Sequence, residues 1–570
     1  MLVKAILFDT RSIQKYIFSG DKLKTNIGAS FIVDRLFTDV LIEKVLNKRG
    51  YGLKKYQWRD TSAIEMQTNS NLKCEVAYIG GGNALILLAP SEDAEAIVRD
   101  FTKQVMLKYP GLKTGAAIGE LPLDKGTEGD EFQQKLTELY TKLKQNQNRF
   151  SPQVTIPYMG ITVPCQLDGE TADIWDKDKL SGEARFISAA TMAKLRKASM
   201  KEQGELNSPE EARTATGYLQ ARFKDILGDS YIFPESLDSL GQIETENYVA
   251  VVHIDGNNMG LRFSQCKNLV ERKQMSIKVA EICQDSFGKL LETIIQELPA
   301  QLQNSSFGIR INEDNSKIYL PIRPLILGGD DVTFVCMGRM ALEYTQRFIE
   351  FMETNKELPI DCCGGIALIK TSYPFFRGYE MAEQLCGEAK KMSRKEKQQL
   401  VKENTANIQC SSWLDFAILH GEQAPELSQL RQQEYQGILG NMHFGPYKVF
   451  TANSIPNNKR YDLTKLLQGI QRLRKGKSQS TESMAANKIK DMRSVLAQDK
   501  HTIQRFMEQL AHIGGQVPVV TGWEKYAEQL WYREAEVQPW TTPYVDMIEM
   551  IDFTDDTLLI NDKKAGEACE

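Results

Sequence analysis

The sequence has no apolar run as long as a membrane span, no Cys-x-x-Cys pair and no strong net charge. The first absence excludes a helical membrane protein, because a crossing needs ~20 consecutive apolar residues. The start, Met1-Leu-Val-Lys-Ala-Ile-Leu-Phe-Asp9, meets an acid too early for a signal peptide, so a cytoplasmic protein with no membrane partner is expected. The ten cysteines are scattered, which argues against a disulfide framework or a thiolate metal site. They read as reduced core residues, and Cys362 and Cys363, adjacent in an apolar strand, should face opposite sides. A net charge of −5 and a pI of 5.9 give no global attraction to nucleic acid, so any such contact must come from a local patch. What is present is ordinary for a soluble chain: 570 residues and 64.6 kDa, 25% charged and 42% hydrophobic, enough for three or four domains.

One stretch organises the rest. In Leu325-Ile-Leu-Gly-Gly-Asp-Asp-Val-Thr-Phe-Val-Cys336, two β-forming runs flank Gly328, Gly329, Asp330 and Asp331, the pattern of a hairpin with a glycine turn. Adjacent carboxylates at a strand end repel each other, which a divalent cation such as Mg²⁺ or Mn²⁺ would relieve. The tetrapeptide alone is equally suited to a plain polar hairpin tip. Two further stretches favour chemistry. Tyr248-Val-Ala-Val-Val-His-Ile-Asp255 is an apolar strand ending in an acid, followed by the turn Gly256-Asn257-Asn258-Met259-Gly260, whose backbone N–H groups suit phosphate oxygens. Downstream, Lys390 and Arg394 lie four apart on one helix face, suited to the far side of a triphosphate. In this order the pieces describe a nucleotidyltransferase palm. His253 reads as a core histidine rather than a base, and Ser264 either as a phosphate or hydroxyl contact or as a plain exposed helix serine.

The unit occurs twice. Val3-Lys-Ala-Ile-Leu-Phe-Asp9 is another strand ending in an acid, residues 13–46 run helical around an interruption at Gly28-Ala29-Ser30, and Tyr78-Ile-Gly-Gly-Gly-Asn-Ala-Leu-Ile-Leu-Leu88 is the same hairpin without its acids. Gly82 then aligns with Asp330 and Asn83 with Asp331; 73 positions separate Asp9 from Gly82 and 75 separate Asp255 from Asp330. Gly115-Ala-Ala-Ile118 aligns with Gly365-Ile-Ala-Leu368, 33 and 35 past the turns. The element order is the ferredoxin-like βαββαβ plan. The expected class is therefore α+β: a first palm over 1–125, an inter-palm linker domain over 126–245, a second palm over 246–400 and a C-terminal helical bundle over 401–570. In the linker, 131–148 reads as a polar amphipathic helix, 151–180 as short strands and turns around Cys165, and 181–227 as largely helical with a helix start at Asn207-Ser208-Pro209. In the last domain 413–419, 463–473, 485–496 and 502–513 carry apolar positions at helical spacing. Residues 459–493 hold ten Lys or Arg against three acids, a surface for RNA or a phosphate-bearing partner or else a solvated helix face. The residues after Leu559 read as a polar tail.

These motifs resemble the large polymerase-cyclase subunit of type III CRISPR effector complexes and its stand-alone two-palm relatives. The resemblance rests on Phe8-Asp-Thr-Arg-Ser-Ile-Gln-Lys-Tyr-Ile-Phe18 with Gly28-Ala-Ser30, Gly80-Gly-Gly-Asn83, His253-Ile-Asp-Gly-Asn-Asn-Met-Gly260, Gly328-Gly-Asp-Asp331, the run Gly365 to Pro374 leading to Ala389-Lys390, and the final Val545 to Phe553. The Gly-Gly-Asp-Asp motif and the Lys390/Arg394 helix are also similar to diguanylate cyclases. The resemblance implies ATP joined into cyclic oligoadenylates, with Asp255, Asp330 and Asp331 at the catalytic and metal positions and Ile254 beside them. One ATP would lie over Asn257, Asn258, Met259, Gly260, Ser264, Gly328, Gly329, Lys390 and Arg394; a second would lie against Ser30, Gly81 and Gly82 of the first palm. Two departures carry expectations. No His-Asp dipeptide occurs among the five histidines, so the family's HD nuclease is not expected, and Cys165 stands alone where a four-cysteine ribbon would lie, so no zinc is expected. Expected partners are nucleotide, CRISPR effector subunits with guide and target RNA, or a second copy of the chain. The rival readings are a non-catalytic scaffold subunit and a GTP-using cyclase.

Overall fold

A computed structural model describes residues 2–60, 63–123, 130–149, 160–177, 184–198, 209–240, 247–303, 311–312, 317–402, 411–421, 425–455, 458–475, 484, 486–533, 536 and 539–554. The first palm begins with β1 (Leu2–Arg11), whose run Ala5 to Phe8 is fully buried, as a central strand covered on both faces must be. Two helices follow, α1 (Ile13–Phe18) and α2 (Leu23–Arg35), then a π-helix over Leu36–Leu46. Next come the hairpin β2 (Cys74–Gly80) and β3 (Asn83–Leu88), α3 (Ala94–Lys108), β4 (Lys113–Pro122) and α4 (Asp130–Arg149). The sheet order β2-β3-β1-β4, all antiparallel, is the ferredoxin-like order. The expected boundary at 125 cuts this unit short. Helix α4 packs on β4, and its Gln147 amide donates to Asp9, so it completes the first palm.

The linker contributes a small hairpin, β5 (Ile174–Lys177) with β6 (Ala184–Ile187), over a separate cluster of Cys165, Leu167 and Ile187, and then α5 (Ala189–Ala198). Of the stretches expected there, 151–159, 178–183 and 199–208 lie outside the described residues, Asn207 and Ser208 among them. Gly28 does not interrupt α2. A Cβ there would sit 1.8 Å from the Lys194 carbonyl oxygen, so the glycine lets α5 press backbone against backbone.

The second palm repeats the plan. Strand β7 (Tyr248–Gly256) leads to α6 (Met259–Ser264) and the long α7 (Leu269–Gln303); the hairpin β8 (Ile322–Gly328) and β9 (Asp331–Met337) follows, then α8 (Ala341–Glu353), β10 (Cys362–Lys370) and α9 (Phe375–Lys402). Its sheet runs β8-β9-β7-β10 and is extended by β11 (Ser412–Ile418), parallel to β10, and β12 (Tyr447–Val449). Strand β11 corrects the helical expectation for 413–419. All seven of its residues are buried, and a strand covered on both faces shows no period-two alternation to distinguish it from a buried helix. Cys362 and Cys363 face different clusters, as alternation requires, and every described cysteine is a buried free thiol.

The duplication extends to the hydrogen-bond register. Asp9 lies opposite Asn83 and Asp255 opposite Asp331. Each hairpin slips register five residues before its aligned turn position, at Ala77 and at Leu325. Thr10 N–H donates to Gly82 O (2.9 Å) and Gly256 N–H to Asp330 O (3.0 Å), the same bond in each copy. The third alignment shifts by two residues: Asp9 faces Gly115 and Asp255 faces Cys363, so Gly115 corresponds to Cys363, and Gly365 corresponds to Ala117. The repeated Gly-x-Ala pattern had masked this shift.

Beyond β12, α10 (Leu463–Lys475), α11 (Ala486–Leu496), α12 (Lys500–His512) and α13 (Tyr544–Met550) continue the core of the palms without a break. Much of the basic run is spent internally. Arg493 pairs with Glu549 (3.1 Å), Arg474 donates to the Ile551 and Thr554 carbonyls, and Arg460 lies over the Phe444, Tyr461 and Tyr526 rings. Residues 476–483, within that run, and 555–570, with the expected tail, lie outside the described residues. Among the described residues no helix is long and apolar enough to cross a membrane.

Candidate active site

The ladder between β7 and β9 brings Asp255 and Asp331 to directly opposed positions at one end of the sheet. Asp330 occupies the turn beside them after Gly329, whose φ of 83° only glycine adopts cheaply. At Gly256 a Cβ would lie 2.9 Å from the Asp330 Cβ, so the strand end and the turn touch. Helix α9 supplies Lys390, whose ammonium pairs with the Asp255 carboxylate. Burial alone would push the Lys390 pKa down, but Asp255 outweighs it and the pKa is raised.

The electrostatics are those of acids crowded together. Burial, then repulsion from Asp255, pushes the Asp330 carboxyl up to about 6; burial, then Asp255 and Asp330, pushes Asp331 up to about 7. Asp331 Oδ1 is buried without a hydrogen-bond partner. The nearby His253 Nδ1, 3.6 Å away, is bonded to Thr333 Oγ1 (3.2 Å), and burial holds the ring neutral, its pKa lowered to about 4. Such a site gains by taking up a positive charge. An orphan carboxylate oxygen amid crowded acids is the kind of donor that a hard divalent cation takes. Among the described residues no group of three or more His, Cys, Asp or Glu is already gathered as a cage. Lys390 is the group that faces Asp255.

The remaining expected residues fall into four groups. At the site, Gly328 pairs with Asp331, Asn258 is exposed with φ 58°, Gly260 is exposed with open space around its Cα, and Arg394 is exposed one turn beyond Lys390 with no ion pair among the described residues. Turned inward are Ile254, buried opposite Val332 and Gly364, Met259, and Asn257, whose N–H and side-chain amide both donate to Asp361 (2.8 and 3.0 Å). Ser264 is exposed and donates to Leu261 O (2.8 Å) within its own helix. On the first palm, Gly81 and Gly82 form the hairpin tip with φ 57° and 77°, and the Ser30 hydroxyl donates to the Leu325 carbonyl at the bulge of the acid-bearing hairpin.

Sequence reasoning singled out neither Gln14 nor Tyr379. Gln14, on α1, lies near enough to the Asp331 carboxyl to lower its pKa. Phe18, one turn on, stacks on Tyr379 of α9 at 3.8 Å, and Tyr379 meets the His253 ring edge-on. The only signal was the place of Gln14 within the Phe8 to Phe18 motif, since cross-domain contacts leave no spacing to read.

Residues 248–400, the whole second palm with both acid-bearing segments, match the family model described as Cas10/Cmr2, second palm domain. The second palm is Cas10-like. The chain is similar to the crystal structure of a Csm1–Csm4 cassette in complex with pppApA, at 13% identity over 68% of this chain and 53% of that one, TM-score 0.40. It is likewise similar to the cassette in complex with pppApApA (13% identity, 96% and 69%, TM-score 0.49) and to Csm1 in T. onnurineus (13%, 97% and 70%, TM-score 0.45). The chain spans about half the length of the first of these, 53%. No curated protein matches it.

Proposed function

We propose that this chain is a nucleotidyltransferase that joins ATP into cyclic oligoadenylates as a type III CRISPR effector subunit. The observation that carries the reading is the in-register pair Asp255 and Asp331 beside Asp330, with one carboxylate oxygen buried and unpartnered. Asp255, Asp330 and Asp331 hold Mg²⁺ or Mn²⁺, which when bound supplies charge neutralisation at the reacting phosphate and lowers the pKa of the attacking hydroxyl. Lys390, which pairs with Asp255, and the exposed Arg394 would contact the triphosphate. Asn258 and Gly260 offer open backbone beside it. His253, neutral and bonded to Thr333, keeps Asp331 in place rather than moving a proton. The second nucleotide lies toward the first palm, beside Gln14 and the Gly81-Gly82 tip. Partners are a Csm4-type subunit and RNA, in the cytoplasm.

The test is incubation of the purified chain with Mg²⁺ or Mn²⁺ and each nucleoside triphosphate, with and without guide and target RNA, and identification of products by mass spectrometry. Cyclic oligoadenylates from wild type and none from the Asp330→Ala/Asp331→Ala double variant are expected. Guanylate products would establish the diguanylate-type reading instead, and nucleotide binding without any product the scaffold reading.

A further inference from the structure

Beneath the loop that follows Asp255 runs a buried polar network that the proposed chemistry does not use. Asn257, 7% exposed, gives its backbone N–H to Asp361 O and its side-chain amide to Asp361 Oδ2, Ser393 Oγ (3.3 Å) and Ser411 O (3.3 Å). Asp361 Oδ2 also accepts from Lys397 Nζ at 2.5 Å. Ser411 donates to Glu396, and Glu396 accepts from Lys448 Nζ (2.6 Å) and Asn458 Nδ2 (2.8 Å), both beyond the last long strand of the palm. Glu396 and Lys448 are essentially without solvent.

Buried ion pairs of this kind contribute little net stability, because desolvating each charge costs about as much as the pair returns. Their remaining use is registry, and the geometry shows what is registered. Ser393, Glu396 and Lys397 lie on α9 within two turns of Lys390, and Asn257 lies two residues from Asp255. Fixing Asn257 to this helix face fixes the Lys390 ammonium against the Asp255 carboxylate. The far end of the network is held by Lys448 and Asn458, with Trp413 Nε1 also donating to Glu396 (3.3 Å).

We infer that Asn257, Asp361 and Lys397 form a positioning clasp for the Asp255 loop, set from the C-terminal region by Lys448 and Asn458 through Glu396. The inference rests on the reading of Asp255 and its loop as the nucleotide site, and it moves Asn257 from ligand to support.

The test uses the full chain and two readouts: amide hydrogen exchange of residues 256–260 without nucleotide, and the Kd of a non-hydrolysable ATP analogue with Mg²⁺ by calorimetry. Asn257→Asp faces one carboxylate with another; exchange at least tenfold faster and a Kd at least tenfold weaker are expected. The swap Asn257→Asp/Asp361→Asn restores an amide–carboxylate pair and should bring both values back to within threefold of wild type. The remote pair Glu396→Leu/Lys448→Met removes both buried charges and should still weaken Kd about fivefold and speed exchange. It decides the matter if Asn257→Asp does not fold. Wild-type exchange in a folded Asn257→Asp, no recovery in the swap, or an unchanged Kd and exchange in the remote pair would overturn the inference. If wild type binds no analogue, the nucleotide reading fails, and the clasp stands or falls on the exchange data alone.

Discussion

The two palms have one strand order, one bulge position and one strand-end hydrogen bond, yet differ where chemistry would occur. In the second, Asp255 meets Asp331 and pairs with a lysine; in the first, Asp9 meets Asn83, and its carboxyl, raised by burial, accepts from the Gln147 amide. An amide in place of an ammonium suits a lone acid with no cation to share. The hairpin bend is thus a property of the fold, common to both copies. The acids are an addition that the fold tolerates at a cost, visible in the raised Asp330 and Asp331 carboxyls.

The largest expected effect breaks this asymmetry. Alanine at both Asp330 and Asp331 should lower product formation on the order of 10³-fold, while Asn83→Ala at the matching place in the first palm changes it less than about threefold, read by product chromatography. Next is packing. A Cβ on Gly365 would lie 2.0 Å from the Ala382 carbonyl oxygen, whereas one on Gly115 meets only the flexible Gln147 side chain. Gly365→Ala should therefore cost about 3 kcal/mol in chemical denaturation and Gly115→Ala less than about 1 kcal/mol. Third is pH. Asp331 binds its proton more tightly folded than unfolded, so its contribution is fully present below the ordinary carboxylate range and lost as pH rises through about 7. In metal-free protein Asp331→Asn should match wild-type stability at pH 4 and exceed it at pH 8 by about 1 kcal/mol, allowing for the third of the side chain that solvent reaches. Added Mg²⁺ should raise the wild-type Tm more at pH 8 than at pH 6, because protons compete for the same oxygens. The smallest effect joins the halves: Ser30→Ala leaves the Leu325 carbonyl unsatisfied and should cost about 1 kcal/mol by denaturant titration.

The plan of both palms was legible because central strands and glycine turns leave strong local patterns, and the opposition of Asp255 to Asp331 follows once both strands are placed. What was not legible depended on distant neighbours. Strand β11 is buried on both faces and loses its period, Gly28 is small because a helix some 160 positions away presses on it, and Asn257 looks like a loop ligand until Asp361 is seen beneath it. The two-residue offset at Gly115 arose because short Gly-Ala strings match in more than one register, which only the ladder resolves.

The bond from Ser30 to Leu325 bears on whether the halves can be separated. The carbonyl freed where the acid-bearing hairpin bends is capped by a hydroxyl from the opposite copy, and the tip of the acid-less hairpin rests in turn on α7 beside Ser276. Each half thus finishes the other's turn. The acid-bearing half cut out on its own would keep its aspartates and lose the hydroxyl that satisfies the carbonyl freed at their hairpin's bend, which gives the acid-less copy a reason to persist without any chemistry of its own.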